Sequence, residues 1–254
     1  MRPVLASPLA IYCADIGSIP YHRFGWPCTD AAGDRVERHR GSAEIGDLVE
    51  IVAADIADGR AVALGLECPL YVPVPEQPLR LGMARTGEGN RSWSAGAGAL
   101  ATGAVQVAWI LQALRRRAPD AQPFLDWEAF TSVGHGLFLQ EAFVTDRAKA
   151  ATHIDAAAVT AFRDALPHVI AVNAVTADRP LSLLGAALLW SGWSDDLALL
   201  HAPCLVIKAT PPAALEAEAA AGAPAGPTAA PRAHRDRPRS SGSARSWRSR
   251  TSHR

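Results

Sequence analysis

Lysine is almost absent from this sequence: two residues of 254, against 23 arginines. With abundant Ala, that bias reflects a GC-rich coding sequence rather than a function. An excess of one charge is missing too, since 25 basic residues balance 25 acidic ones. The balance is uneven along the chain. Residues 211–254 hold eight arginines and three acids, which leaves the first 210 residues with 17 basic and 22 acidic ones, a net of −5. A strongly basic nucleic-acid-binding body is thereby excluded. General affinity for polyanions would have to come from the tail or a local patch.

Other absences narrow the field further. Cys13, Cys28, Cys68 and Cys204 contain no C-x-x-C pair, so neither a zinc ribbon nor a dithiol redox motif is supported. Buried free thiols in a reducing compartment are the plain reading. No apolar run reaches 18 residues and no signal-peptide h-region follows the N-terminus, so the expectation is a cytoplasmic protein without a membrane span. There is no G-x-x-x-x-G-K-[ST] loop and no G-x-S-x-G elbow. Asp15-Ile16-Gly17-Ser18 has the form of an actin-like phosphate loop, but the second D-x-G-[ST] loop of such phosphotransferases is missing. GAGALA (96–101) fits a dinucleotide pattern without a strand before it, so small residues allowing close helix packing are the simpler reading. His135, His153, His168 and His201 lack metal-ligand spacing. Trp93, Trp109, Trp127, Trp190 and Trp193 are too dispersed for a base-stacking platform and read as core or pocket wall.

What remains is an alternation of strand and helix signals over residues 1–210. LAIYCAD (9–15), AVALGLE (61–67) and GLFLQEAFV (136–144) are apolar runs without polar alternation, as strands covered on both faces require. CLVIKA (204–209) is a shorter one, and Tyr21–Trp26 and Arg35–His39 are weaker. Ile45, Leu48, Val49, Val52 and Ile56 space out one face of a helix over 44–58, which Gly59 stops. A helix over 97–117 has a face of Leu100, Ala104, Val107, Leu111 and Leu114, and ends in three arginines that suit its macrodipole. Helices are also expected over 155–166 and 181–190. Four prolines mark 68–96 as an irregular insertion. This order predicts an α/β layered fold with at least three parallel strands. Residues 211–254, rich in Ala, Pro, Arg, Ser and Gly, cannot offset their ordering entropy and are expected to be disordered. They are either an arm for a polyanion or, the reading their composition favours, a solvated extension of out-of-frame origin.

Asp15, Glu67 and Glu141 each stand at or near the C-terminal end of a strand candidate, where sites form in open α/β sheets. A single strand-end acid is commonplace. Three on neighbouring strands about 5 Å apart would repel, and need a cation or a shared proton. Asp155 is a fourth candidate, at i to Val159, Phe162 and Leu166 at i+4, i+7 and i+11, so it leans toward the sheet. Thr152-x-x-Asp155 also has the form of a capping box, and the two roles are compatible.

The phrases CADIGS, ALGLECPLYVPVP, LQEAFV and HIDAAAVTAF, in that order over about residues 9–208, resemble a bacterial family of uncharacterised proteins predicted to be RNase H-like nucleases, within the resolvase/integrase-like superfamily. The resemblance implies a three-layer fold, with a mixed five-stranded central sheet flanked by helices. It implies Asp15, Glu67 and Asp155 as metal ligands, with Glu141 as a further catalytic carboxylate. Mg²⁺ or Mn²⁺ would be the cofactor, because hard ions prefer carboxylate oxygen and a pair of them serves phosphodiester hydrolysis. Arg85, Arg91 and Lys149 are the candidates for contact with a nucleic acid or a smaller phosphorylated ligand. The insertion and its Arg85/Glu88/Arg91 cluster depart from the superfamily pattern and leave room for an unusual substrate pocket. A non-catalytic scaffold on the same fold is the alternative, favoured by the acidic body, and an actin-like phosphotransferase is the third reading.

Overall fold

The computed structural model describes residues 9–30, 41–88, 93–144, 153–154, 156–166 and 168–209. The chain divides into two units, Met1–Ala213 and Ala214–Arg254. The second unit lies outside the described residues, as does the strand expected over Arg35–His39. The first is a mixed α/β fold with a central sheet flanked by helices.

Its strands are β1 (Leu9–Asp15), β2 (Cys28–Asp30), β3 (Ala61–Glu67), β4 (Tyr71–Pro73), β5 (Pro123–Phe124), β6 (Gly136–Val144), β7 (Pro180–Ser182) and β8 (Val206–Ala209). Its helices are α1 (Ile45–Ala57), α2 (Ala97–Arg117), α3 (Trp127–Val133), α4 (Ala156–Ala165) and α5 (Leu183–Trp190). The main sheet runs β2-β1-β3-β6-β5, with β8 also paired to β6. β2 is antiparallel to β1, and every other pairing in this sheet is parallel. All seven residues of β1 and of β3 are buried, which accounts for their unbroken apolar character.

Strand alternation divides the core in two. Tyr12, Ala14, Leu64, Leu66, Leu137 and Leu139 face α1, α2 and α5. Leu9, Ile11, Cys13, Ala61, Ala63 and Phe138 face α3 and α4. On the second face Trp127, Phe130, Phe138 and Phe162 pack with ring centroids 5.0–6.2 Å apart. On the first, the Tyr12 hydroxyl donates to Asp55 of α1 (2.5 Å), which also accepts from Arg60 (3.1 Å). That network ties α1 to the sheet and explains how Asp55 is buried on an apolar face. Gly59 ends the helix at φ +76°.

By length and composition α2 is apolar enough to cross a membrane, with a mean hydropathy of 1.4 over 18 residues, although no unbroken apolar run foretold it. Its Gly103, Gln106, Val107, Ile110, Leu111, Ala113 and Leu114 are buried. The expected face is thus shifted: Val107, Leu111 and Leu114 lie on it, Leu100 is half-buried and Ala104 is exposed. The close approach is at Gly103, where a Cβ would stand 2.5 Å from Cys68 Sγ, and not at Gly98 within GAGALA.

The insertion is more regular than its prolines suggested. β4 pairs antiparallel with β7, setting Pro73 opposite Pro180. A two-stranded ribbon has no second partner to satisfy, so prolines that lack an N–H are tolerated there. The ladder resumes with Val74 N–H donating to Arg179 O.

None of the four cysteines forms a disulfide, and all are buried. Burial pushes Cys28 up to about 12, and Cys68 and Cys204 well above the ordinary thiol value. Nucleophilic thiolate is therefore scarce at neutral pH. Ellman's reagent should leave the native chain unreacted over minutes and titrate four thiols after denaturation. A fast native thiol would contradict the packing.

Candidate functional site

β1 and β3 start in register at Leu9↔Ala61 and end in register at Asp15↔Glu67. Equal strand length and shared parity set both acids on the α4 face of the sheet, at its C-terminal edge. They are 5% and 8% exposed. The register sets the two positions side by side on strands about 5 Å apart, with both side chains on the same face.

Three local features hold Asp15. Its backbone is clamped to Gly25 by Asp15 N–H to Gly25 O (2.8 Å) and Gly25 N–H to Asp15 O (3.4 Å). The loop between them folds so tightly that a Cβ on Gly17 would stand 1.8 Å from Arg23 O. Gln106 of α2 pins the same loop by donating from Nε2 to Gly17 O at 2.6 Å. Finally His153, in the left-handed region at φ +58°, sets Nδ1 2.7 Å from Asp15 Oδ2. A carboxylate only accepts, so the imidazole donates.

Glu141 does not join this pair. It lies in register with Leu66, not Glu67, and so points to the opposite face. There its carboxylate takes both ends of the Arg85 guanidinium, Nη1 at 2.7 Å and Nη2 at 2.6 Å, and the Leu70 N–H at 2.9 Å. Arg85 Nη2 also donates to Glu88 (3.0 Å), and the guanidinium lies 4.8 Å from the centre of the Tyr71 ring. Burial would lower the Arg85 pKa, but bonds and charge from Glu141 and Glu88 outweigh it and raise it. Burial likewise raises Glu141, against the pull of Arg85 and the Leu70 N–H. Glu141, expected as a further catalytic carboxylate, and Arg85, expected as a phosphate contact, are thus bonded to each other on the face opposite Asp15 and Glu67.

Asp155, Arg91 and Lys149 lie outside the described residues. Among the described residues no group of three or more His, Cys, Asp or Glu could hold a metal ion. The donor set of Asp15 and Glu67, two hard oxygen ligands from rigid neighbouring strands, still fits a divalent cation that keeps several waters. A separate cleft of about 260 Å³ is lined by Pro73, Arg80, Arg85, Thr86 and Arg179 among others, but not by Asp15 or Glu67.

Two polar residues by the pocket were missed or underrated in the sequence. Gln140 is 1% exposed and lies on the α4 face in register with Gly65, one pleat below Glu67. Its Nε2 occupies the space where a Gly65 Cβ would be, 2.9 Å from that position, and no described group donates to its Oε1. The signal was an amide inside an apolar run. His153 stood out in the sequence only as a neighbour of Asp155 that could assist proton transfer, with a surface or capping role the commoner reading; its bond to Asp15, 138 residues away, was not legible there. Matched against protein-family models, curated proteins and solved structures, the chain resembles none of them closely enough to be assigned to a family.

Proposed function

We propose that this chain is a metal-dependent phosphodiester hydrolase of RNase H-like type, acting on a nucleic acid or a smaller phosphorylated ligand. The observation that carries the reading is the register Asp15↔Glu67, which sets two buried carboxylates side by side on one face at the C-terminal edge of the sheet. The sheet order supports it, with an antiparallel β2 beside β1 and parallel β3 and β6 beyond. Mg²⁺ or Mn²⁺ supplies water activation and charge neutralisation at a phosphodiester. Asp15 and Glu67 would hold the ion from two neighbouring paired strands, with Asp155 as the further ligand that this reading assigns.

One observation favours a non-catalytic module instead: Arg85 is consumed by Glu141, which removes a phosphate contact from an already acidic body. Titration of the full chain with Mg²⁺, Mn²⁺ or Ca²⁺ separates the readings. A ligand at 100 times its Kd stabilises the native state by about 2.7 kcal/mol, an increase in Tm of roughly 5–10 °C for a chain of this size. Unchanged melting and no calorimetric heat with any of the three ions would leave only the scaffold.

A further inference from the structure

We propose that His153 is a positioning residue for the acidic pocket, its imidazole fixing the rotamer in which Asp15 offers its carboxylate to a divalent cation; this rests on the hydrolase reading above. Three independent features converge on that one side chain. The first is the bond itself, Nδ1 to Asp15 Oδ2 at 2.7 Å, with the His153 side chain one-third exposed and the Asp15 side chain buried. The second is backbone conformation. His153 sits at φ +58°, where a residue with a Cβ is uncommon and strained. Glycine would occupy that position without strain, whereas histidine there carries the imidazole that reaches Asp15. The third is the fit of the neighbouring chain. A Cβ on Gly25 would stand 2.4 Å from the His153 carbonyl oxygen, so glycine at 25 is what lets the His153 backbone lie against β1's extension. Gly25 is also the residue whose backbone clamps Asp15. One contact thus sets both the main chain and the side chain of Asp15.

The chemistry follows the general logic of metal sites, in which outer partners orient ligating groups and typically contribute 10–100-fold in affinity. A carboxylate with one oxygen held by a donor presents itself in one orientation, and less rotamer freedom is lost when the ion binds. His153 acts here through Asp15 and not on substrate.

The left-handed backbone makes a clean test available. His153→Gly deletes the imidazole while relieving the backbone, and His153→Asn keeps an N–H donor on a residue that tolerates this conformation. Mn²⁺ affinity of the full chain is measured by calorimetry, with thermal melting alongside. The expected result is a 10–100-fold weaker affinity in His153→Gly with apo melting little changed, and recovery of most of the loss in His153→Asn. Wild-type affinity in His153→Gly would overturn the assignment while leaving the metal site standing. Failure of the wild type to bind Mn²⁺ would overturn both. Equal loss in the Gly and Asn variants would show that the N–H donor is not what matters, and would also overturn it.

Discussion

Arg85→Met should lower the stability of the chain by about 3–5 kcal/mol, which for a domain of this size is a fall in Tm of roughly 10 °C or more. The reason is what the substitution leaves behind. The Arg85 side chain is fully enclosed, and its guanidinium meets Glu141 through two bonds and Glu88 through one, on the apolar face that holds Leu66, Leu139 and Tyr71. Met matches the length of the stem but not the charge. Glu141 keeps one donor, the Leu70 N–H, in a place where an unpaired carboxylate is costly. The cost is therefore that of an orphaned charge, not of a lost attraction. A double substitution discriminates between the two. Arg85→Met with Glu141→Leu removes both charges, and should recover more than half of the loss, because a buried pair is often no better than apolar side chains of similar volume. Thermal melting of the two variants beside the wild type checks it. If Arg85→Met melts within a degree or two of wild type, the cluster is not the internal clamp described here.

That cluster also shows where the sequence was readable and where it was not. The bounds of β1, β3 and β6 and the span of α2 follow from apolar runs and their end signals, since strands buried on both faces leave an unmistakable pattern. The parity of the acids was readable too, but only with the register. Aligned at their first residues Leu9, Ala61 and Gly136, the three strands set Asp15 beside Glu67 and shift Glu141 by one position. One residue in a strand turns a side chain to the other face. Asp15 and Glu67 thus share a face of the sheet, while Glu141 points to the opposite core, where Arg85 meets it. The insertion was legible as an interruption, not as a structure. β4 and β7 are three residues each and find one another across more than 100 positions, which no local pattern encodes. β5 and α3 are similarly short. His153 belongs to the same class, because its role depends on a left-handed backbone and a glycine opposite, and neither is written in its neighbours.

The sharpest consequence of the acidic pocket is that function and stability should move in opposite directions there. Asp15→Asn keeps the shape of the side chain and still accepts from His153, so packing around it is preserved. It removes one of two negative charges on adjacent strands, both within a few per cent of full burial. Like charges about 5 Å apart in an environment of effective dielectric near 20 repel by up to about 3 kcal/mol. The apo variant should therefore melt at or a few degrees above the wild type. On the proposed hydrolase reading, Mg²⁺-dependent hydrolysis of a single-stranded nucleic acid or of bis(p-nitrophenyl) phosphate should fall by about 10²–10⁴ in this variant, the equivalent of several kcal/mol of transition-state stabilisation. The rise in Tm expected from Mg²⁺ in the wild type under the proposed reading should vanish as well. Glu67→Gln should behave alike, since the register makes the two acids equivalent partners. A stability cost in both variants, with metal response intact, would mean that these carboxylates are paired within the fold as Glu141 is, and the acidic pair would then be a structural element of the sheet edge instead of a site.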